Sequence, residues 1–339
     1  MKRCVLLLGC ALAGPVSAQS EWAGDWMLEL EVPSGDVYAL LQLERTGENW
    51  VGYVEGGPVD VVIDGDQLEV VVDSRDIAGF LFERRLTGRL RDDVVTGTVS
   101  VVDQPESAEN GSPWTARRAS AHDTVSEGKP FDVAGTWVPA RGADIRKYSM
   151  ALTPEARAWH EDYILHLDQP NVRCVSAGLV AVIAWASYPS EWLVDDDRIT
   201  IIYEVASEVR RVYLDGREAP DYFPPSPMGW SNGRWEGDAL VIETTHLAPN
   251  VRDFLGEPIS ENARFVERYT LSEDGNRLSA VMTLQDPENY QRPPIRRRQW
   301  DRTPDAVILP YECDPDSFFR QLHEEGRMQE YMDRAHRRL

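Results

Sequence analysis

Polar residues that interrupt strand-like apolar patterns are the groups best placed to do chemistry in this chain. Glu267 alternates with Phe265 and Tyr269 on one face of a predicted strand, and Tyr203 follows Ile201 at an interval of two. A carboxylate on such a face must be paired if it is buried, or it lines a cavity where it can act as an acid or base. We therefore take Glu267 and Tyr203 as candidate catalytic residues.

Three more ionisable residues belong to the same group of predicted strands. Arg211 alternates with Val209, Glu243 faces away from the apolar side of its strand, and His246 ends that strand. His246 is the histidine we consider as an acid or base, while Arg211 and Glu243 are candidate ligand-binding residues. The alternative is that Glu267 and Arg211 form a structural pair across neighbouring strands.

Residues 229–233, Gly-Trp-Ser-Asn-Gly, match the Gly-x-Ser-x-Gly pattern of a hydrolase nucleophile. That motif requires a strand before the serine and a helix after it, whereas here a Pro-rich loop precedes it and a hairpin follows. Ser231 is therefore expected to satisfy local backbone groups. We keep Ser231, Trp230 and Tyr222 as candidate ligand contacts, since aromatic loops suit an apolar or sugar-like ligand, although they also serve to anchor loops.

His160-Glu161 begins like the helix of a zinc protease, but the pattern does not continue. Ile164 stands where the second histidine is needed, and the next histidine is His166. Two imidazoles at that spacing lie on different faces of a helix. We predict no metal site and no cofactor.

The elements that carry these residues are mainly short strands. From Trp22 to Arg118, alternating apolar runs are separated by frequent turn residues, which predicts an antiparallel barrel or sandwich in residues 19–118. Residues 119–131 are polar and without periodicity, as in a linker. Further hairpins in residues 132–339, including one that turns at Gly237, predict a second, larger barrel. The fold class is therefore mainly β, with two tandem antiparallel domains.

Two peripheral helices are expected in the second domain. Residues 152–168 have Thr153 as N-cap and Pro154 in the first turn. Their apolar stripe favours a lid or plug packed on the sheet. A second helix follows Asp314, which suits an N-cap position, with Pro315 first.

The N-terminus predicts export. Residues 1–18 combine a basic start, an apolar core and small residues before Gln19, as in a cleaved signal peptide. A lipoprotein signal cut before Cys10 is the alternative. The protein is then periplasmic or secreted, and no later run is long and apolar enough to span a membrane. A formal charge of −22 argues against nucleic acid as a partner.

Cleavage before Gln19 leaves two cysteines, Cys174 and Cys313. In an exported protein such a pair suggests one disulfide. Two buried free thiols are the alternative.

Several segments between Leu152 and Cys313 resemble a large family of secreted bacterial proteins of unassigned function. They include MG-x-S-x-GRWEGD-x-LV, GEP-x-SENARFVERY and QDPENY. The resemblance implies a β-rich, calycin-like (lipocalin-like) barrel, as do the Gly-x-Trp sequences that open both domains. The family carries a histidine before the serine of the first two segments, where this chain has Trp230 and Ile259. If the family's chemistry uses that pair, this protein has lost it or does something different.

We therefore expect a binding protein for a small, partly apolar ligand in the second barrel. The first alternative is a metal-independent hydrolase, lyase or isomerase acting on a small molecule in the same cavity, and the second is an envelope interaction module without a cavity. An open pocket with two converging titratable groups favours the enzyme, an apolar pocket favours the binder, and a filled barrel favours the interaction module.

Overall fold

The fold is given by a computed structural model that describes residues 22–33, 35–75, 81–119, 130–140, 144–145, 150–185, 187–253 and 255–338. The predicted signal peptide and most of the predicted linker lie outside these residues. The chain is mainly β, as predicted, and its strands form two closed barrels.

The first barrel is an up-and-down barrel in which consecutive strands pair and the last pairs with the first. Its eight strands are β1 (Gly24–Val32), β2 (Gly35–Thr46), β3 (Asn49–Val54), β4 (Gly57–Asp64), β5 (Gln67–Arg75), β6 (Leu81–Arg91), β7 (Val94–Val101) and β8 (Pro113–Arg118). Alternate residues of each strand point inward, so leucines and valines fill the centre together with three buried tryptophans, Trp22, Trp26 and Trp114.

Gly88 and Gly97 leave room for the Trp114 ring to lie directly against the backbone of β6 and β7. They lie opposite each other on β6 and β7, and a Cβ on Gly97 would stand 2.6 Å from the Trp114 ring and 1.9 Å from the Thr87 carbonyl oxygen. The Trp114 indole donates to that oxygen at 3.1 Å. Side chains at the two glycines would displace the ring.

The second barrel has nine strands and begins with β9 (Gly135–Pro139). The others are β11 (Ser190–Val194), β12 (Arg198–Tyr203), β13 (Val209–Tyr213), β14 (Trp230–Glu236), β15 (Ala239–Thr245), β18 (Arg264–Leu271), β19 (Arg277–Gln285) and β20 (Ile295–Arg302). Its pairs are antiparallel except β13 with β14, because residues 214–229 cross over before β14 begins. Short strands β10 (Asp144–Ile145), β16 (Asn250–Val251) and β17 (Pro258–Ile259) lie outside it, and β10 pairs with β5 of the first barrel.

The predicted helix over residues 152–168 is in fact two helices, α1 (Pro154–Glu161) and α2 (Leu165–Asp168). Thr153 caps α1 as predicted, accepting from the Ala156 amide at 3.3 Å. The chain leaves the helical path near Tyr163, whose ring packs on Gly256 so closely that a Cβ there would lie 2.3 Å away. α1 contacts β17, and its Ala156 is buried in the core cluster of the second barrel.

The helix that packs into the end of the barrel is α3 (Gly178–Trp185), which the sequence analysis did not identify. Leu179 to Ala184 are buried on every side and join the barrel core, as expected for a helix that is apolar all round. The predicted C-terminal helix is confirmed as α4 (Pro315–Glu324), with Asp314 as its cap, and α5 (Met328–Arg338) follows.

The predicted disulfide is confirmed. Cys174 and Cys313 are joined with a Cα–Cα distance of 5.7 Å, closing a loop of 139 residues. The bond fixes the segment before α4 to the short 3-10 helix Pro170–Arg173. Among the described residues, no helix has the length and apolar character needed to cross a membrane.

The turn after β3 holds the two barrels together. Glu55 accepts from Arg297 of β20 at 3.0 Å, and its carbonyl oxygen accepts from the Ile295 amide at 2.9 Å. The neighbouring Gly56 lies so close to Pro293 that a Cβ would stand 2.5 Å from its carbonyl oxygen. The barrels therefore meet through a partly buried ion pair and close backbone contact.

Candidate functional site

A network of polar side chains lies inside the second barrel, where each is placed at an inward position of its strand. Arg210 of β13 donates to both carboxylate oxygens of Glu267 on β18, at 3.0 and 2.5 Å. It also donates to Ser231 of β14 at 2.9 Å and to Thr244 of β15 at 2.7 Å. Tyr269 donates to Glu267 at 2.6 Å. The network thus joins four strands across the barrel interior.

Arg210 and Glu267 form an ion pair with almost no solvent contact, since 1% and 0% of their side chains are exposed. Burial alone would lower the pKa of Arg210, but the adjacent Glu267 carboxylate raises it above its ordinary value. Burial, with Glu267 second, raises the pKa of Tyr269 well above its ordinary value. Arg210 therefore stays charged and Tyr269 stays a hydrogen-bond donor at neutral pH.

A narrow cleft lies beside this network, between the barrel wall and α3. Its cavity volume is about 10 Å³, within about 370 Å³ of space between atoms that includes open solvent. That is room for about one water molecule. Most of its lining is aromatic or aliphatic, from Trp137, Val182, Ile183, Tyr188, Ser190, Trp192, Tyr203, Val205, Tyr269, Leu278 and Trp300.

The Tyr203 hydroxyl is a buried polar group of the cleft that makes no hydrogen bond to any described residue. Burial raises the pKa of Tyr203 to about 12, and the positive charge of Arg210 opposes that rise. A side-chain contact with Arg210 lowers the pKa further, so the guanidinium lies close to the hydroxyl, but the contact lacks the geometry of a hydrogen bond. Since most buried hydroxyls in proteins have a partner, this group marks a place where a ligand or a water molecule is needed.

Arginines of β20 hold α3 in place above the cleft. Arg296 donates to the Ala184 carbonyl oxygen at 3.3 Å, and Arg298 donates to that of Ile183 at 2.6 Å. These bonds satisfy carbonyl groups in the last turn of the helix, which lack partners within it. α3 is therefore a fixed plug.

The cleft opens toward Tyr188, whose side chain is 46% exposed. The Tyr188 ring meets Tyr311 edge to face, with centroids 6.1 Å apart. The segment that carries Tyr311 is also held by Glu204, which accepts from the Leu309 amide at 2.9 Å. The mouth of the cleft is thus bordered by the chain that leads to Cys313.

The structure brings three of the predicted site residues, Glu267, Tyr203 and Ser231, into the barrel interior. Arg211 is exposed on the outer face, so the predicted pairing of Glu267 with Arg211 is wrong, and the interior arginine is its neighbour Arg210. Glu267 and Arg210 also lie on strands that are not adjacent in the barrel. The turn at 205–207 sets which residues of β13 point inward.

The remaining candidates lie away from the cleft. Glu243 is on the outer face, paired with Arg264, and Tyr222 is 86% exposed. Trp230 stacks outside the barrel on Tyr213, with centroids 4.5 Å apart. These residues therefore do not line the predicted cavity.

His246 lies just beyond the end of β15, exposed and in the left-handed region with φ of 56°. Its Nδ1 is 2.9 Å from the Thr245 hydroxyl. The expected convergence of His246 with Glu267 and Tyr203 is thus absent. Trp230 faces outward and Ile259 is buried in the core.

Four residues of the site were missed in the sequence: Arg210, Thr244, Tyr269 and Ser190. Period-two alternation gave a signal for Tyr269, which shares the face of Glu267, and for Thr244, which shares that of Ile242. Ser190 begins β11 and carried no pattern of its own.

A second buried ion cluster stabilises the loop between β16 and β17. Arg252 donates to Glu257 at 2.8 Å and to Asp253 at 2.9 Å, and Glu257 accepts from the Met150 amide at 2.9 Å. Burial raises the pKa of Glu257. In the part of the chain that the structure describes, no three His, Cys, Asp or Glu side chains are grouped so that they could hold a metal ion.

Comparison with models of known protein families and with curated protein sequences gives no match to this chain.

Proposed function

We propose that this protein binds a small, partly apolar molecule in the cleft between α3 and the wall of the second barrel. The observation that carries this proposal is the Tyr203 hydroxyl, buried among aromatic side chains and without a partner among the described residues. Binding sites for small molecules typically combine apolar walls with a few polar groups that fix orientation. The cleft has both features.

The arrangement of Glu267 favours binding over catalysis. Its oxygens accept two hydrogen bonds from Arg210 and one from Tyr269. A general base must reach the proton that it removes, and breaking a buried ion pair to free Glu267 costs about 3–5 kcal/mol. Glu267 is therefore better suited to holding the barrel interior in one arrangement.

The size of the cleft sets a condition on binding. Since its inner part holds about one water, only a small group of the ligand enters it unless side chains move. The exposed Tyr188 at the mouth is the side chain best placed to swing away. The body of the ligand then lies against Tyr188, with one group reaching the interior.

We place this activity in the periplasm or outside the cell. The disulfide between Cys174 and Cys313 is of the kind that persists in oxidising compartments. The predicted signal sequence supports the same location.

Ligand-observed NMR with a library of small aromatic and alicyclic molecules tests the proposal. Hits are retested with Val182→Phe, which fills the cleft from α3. The matched control is Val62→Phe, the same change at an exposed position of the first barrel. We expect binding to be lost in the first variant and kept in the second.

The Trp192 indole signal gives a second measurement on the unmodified protein, because Trp192 lines the cleft. It should shift when a hit is added. Hits that leave Trp192 unmoved and bind Val182→Phe normally would show that the cleft is not the binding site.

A further inference from the structure

We infer that the ligand of this cleft is uncharged and presents a hydrogen-bond acceptor, such as a ketone, ester or amide carbonyl, to the hydroxyls of Tyr203 and Ser190. This inference rests on the proposed function and specifies its ligand class. It follows from which hydrogen-bonding groups of the cleft are already used and which remain.

Two neighbouring hydroxyls in the cleft have a hydrogen to donate. Ser190 and Tyr203 lie opposite each other in the pairing of β11 with β12. The Ser190 oxygen accepts from the Trp192 indole at 3.1 Å, which leaves its own hydrogen available. The Tyr203 hydroxyl makes no hydrogen bond within the described chain.

Two further polar groups of the lining are already engaged. The Trp137 indole donates to the Val133 carbonyl oxygen at 2.9 Å, and the Tyr269 hydroxyl donates to Glu267 at 2.6 Å. The cleft therefore offers hydroxyl hydrogens, and a ligand that brings an acceptor satisfies them.

The electrostatic surroundings favour an acceptor over a second donor. The positive charge of Arg210 acts on the Tyr203 hydroxyl more strongly than the negative charge of Glu267 does. A partially negative carbonyl oxygen is attracted by that field, whereas an ammonium group is repelled.

A fully charged carboxylate is a poor fit. Arg210, the cation nearest to Tyr203, is committed to Glu267, Ser231 and Thr244 through four hydrogen bonds. A carboxylate in the cleft would lose its hydration without gaining an unpaired counter-charge among the lining residues. An uncharged acceptor avoids that cost.

The inner space matches a single oxygen atom with its carbon. Its size is that of about one water molecule, and its walls include the rings of Trp192 and Trp300. A carbonyl group enters as the water-sized part, and the flat apolar body of the ligand lies at the mouth against Tyr188. A trapped water satisfies the same hydroxyls and is the competing occupant.

Four probes of similar size separate these cases: acetophenone, ethylbenzene, benzoate and benzylamine. Their dissociation constants are measured at neutral pH by the shift of the Trp192 indole signal. We expect acetophenone to bind about tenfold more tightly than each of the others, the ratio that one buried hydrogen bond supplies. Tyr203→Phe should remove most of this preference, and Ser190→Ala part of it.

Tyr222→Phe is the matched control, because it makes the same change on an exposed tyrosine and should leave all four constants unchanged. Equal or tighter binding of benzoate or benzylamine overturns the inference, as does an acetophenone preference that survives Tyr203→Phe. Failure of acetophenone to shift Trp192 at millimolar concentration also overturns it. The proposed function then survives if a different molecule shifts Trp192, and fails with the inference if none does.

Discussion

The two barrels of this protein have a similar strand architecture but differently built interiors. Leucine, valine and tryptophan fill the first barrel, and its buried Arg84 is bonded to Glu109 of the loop after β7. The second barrel carries the Arg210–Glu267 pair between strands that are not neighbours in the sheet, with a cleft beside it. The first interior is a packed core, and the second combines a core with a polar network.

This difference indicates a division of roles. Replacing a buried ion pair by apolar side chains is often neutral or stabilising, so the network of the second barrel is not explained by stability. It fixes the directions of Tyr269 and Glu267 and places a positive charge near Tyr203. The first barrel, joined to β20 through Glu55, supports the strand whose arginines hold α3.

The largest expected difference between the barrels concerns the disulfide. Replacing Cys174 and Cys313 by serine should lower the free energy of unfolding of the second barrel by up to about 5 kcal/mol, because the bond closes a loop of 139 residues. The first barrel lies outside that loop and should keep its stability. Hydrogen exchange of peptides from each barrel, measured in urea, gives both values. Equal losses in the two barrels would contradict this assignment.

The buried ion pair should show the next largest effect. Glu267→Leu leaves Arg210 buried without its carboxylate and should destabilise the second barrel by about 4 kcal/mol. The double variant Arg210→Met/Glu267→Leu should recover most of that loss. Glu109→Leu is the comparison in the first barrel, and it should cost less because the Glu109 side chain is 15% exposed. Urea unfolding with the same exchange measurement tests all three, and a double variant as unstable as Glu267→Leu would refute the explanation.

Alkaline pH should lower the stability of the second barrel more than that of the first, by a smaller amount than the preceding substitutions. Burial raises the pKa of Tyr203 from 10.0 in the unfolded chain to about 12 in the folded protein. The contribution of Tyr203 to the free energy of unfolding is therefore complete below pH 10 and is lost as the pH rises to 12. The loss from Tyr203 alone is about 3 kcal/mol. A hydrogen bond to Glu29 also raises the pKa of Tyr38 in the first barrel to about 12, but Tyr38 is 44% exposed and solvent screens the effect.

Urea unfolding at pH 9, 10 and 11, followed by tyrosinate absorbance, measures this dependence. Tyr203→Phe should reduce the loss of stability with pH but not remove it, because the raised pKa of Tyr269 contributes to the same loss, whereas Tyr38→Phe should change it little. A loss that is unaltered by Tyr203→Phe would place its origin elsewhere.

Much of the fold was predictable because local chemistry specifies it. The Gly237 turn, the alternating strands and the Thr153 and Asp314 caps all formed where the sequence predicted them. α3 was missed because a short run that is apolar throughout has no period from which to distinguish a helix from a strand. The closure of each barrel depends on pairings between distant strands, which no local pattern contains.

The site was predictable only where alternation is unambiguous. Glu267 and Tyr203 lie among apolar residues at intervals of two, so their inward direction could be read from the sequence. Arg210 and Arg211 are adjacent, and each alternates with a valine, so the pattern does not choose between them. The turn before β13 determines which of the two arginines points inward. In that turn Ala206 and Ser207 adopt positive φ, a conformation that cannot be predicted from these residue types.

The smallest expected effect concerns two tyrosines that line the same cleft. Their replacement by phenylalanine should change the free energy of unfolding in different directions. Tyr269→Phe removes a hydroxyl that donates to Glu267 and should destabilise the second barrel by about 1–2 kcal/mol. Tyr203→Phe removes a hydroxyl without a partner among the described residues and should leave stability unchanged or raise it by up to about 1 kcal/mol. Thermal and urea unfolding of the two variants measure both changes in stability. A loss at Tyr203 equal to that at Tyr269 would mean that its hydroxyl is already satisfied in the free protein, and the strongest reason for a ligand in this cleft would then be gone.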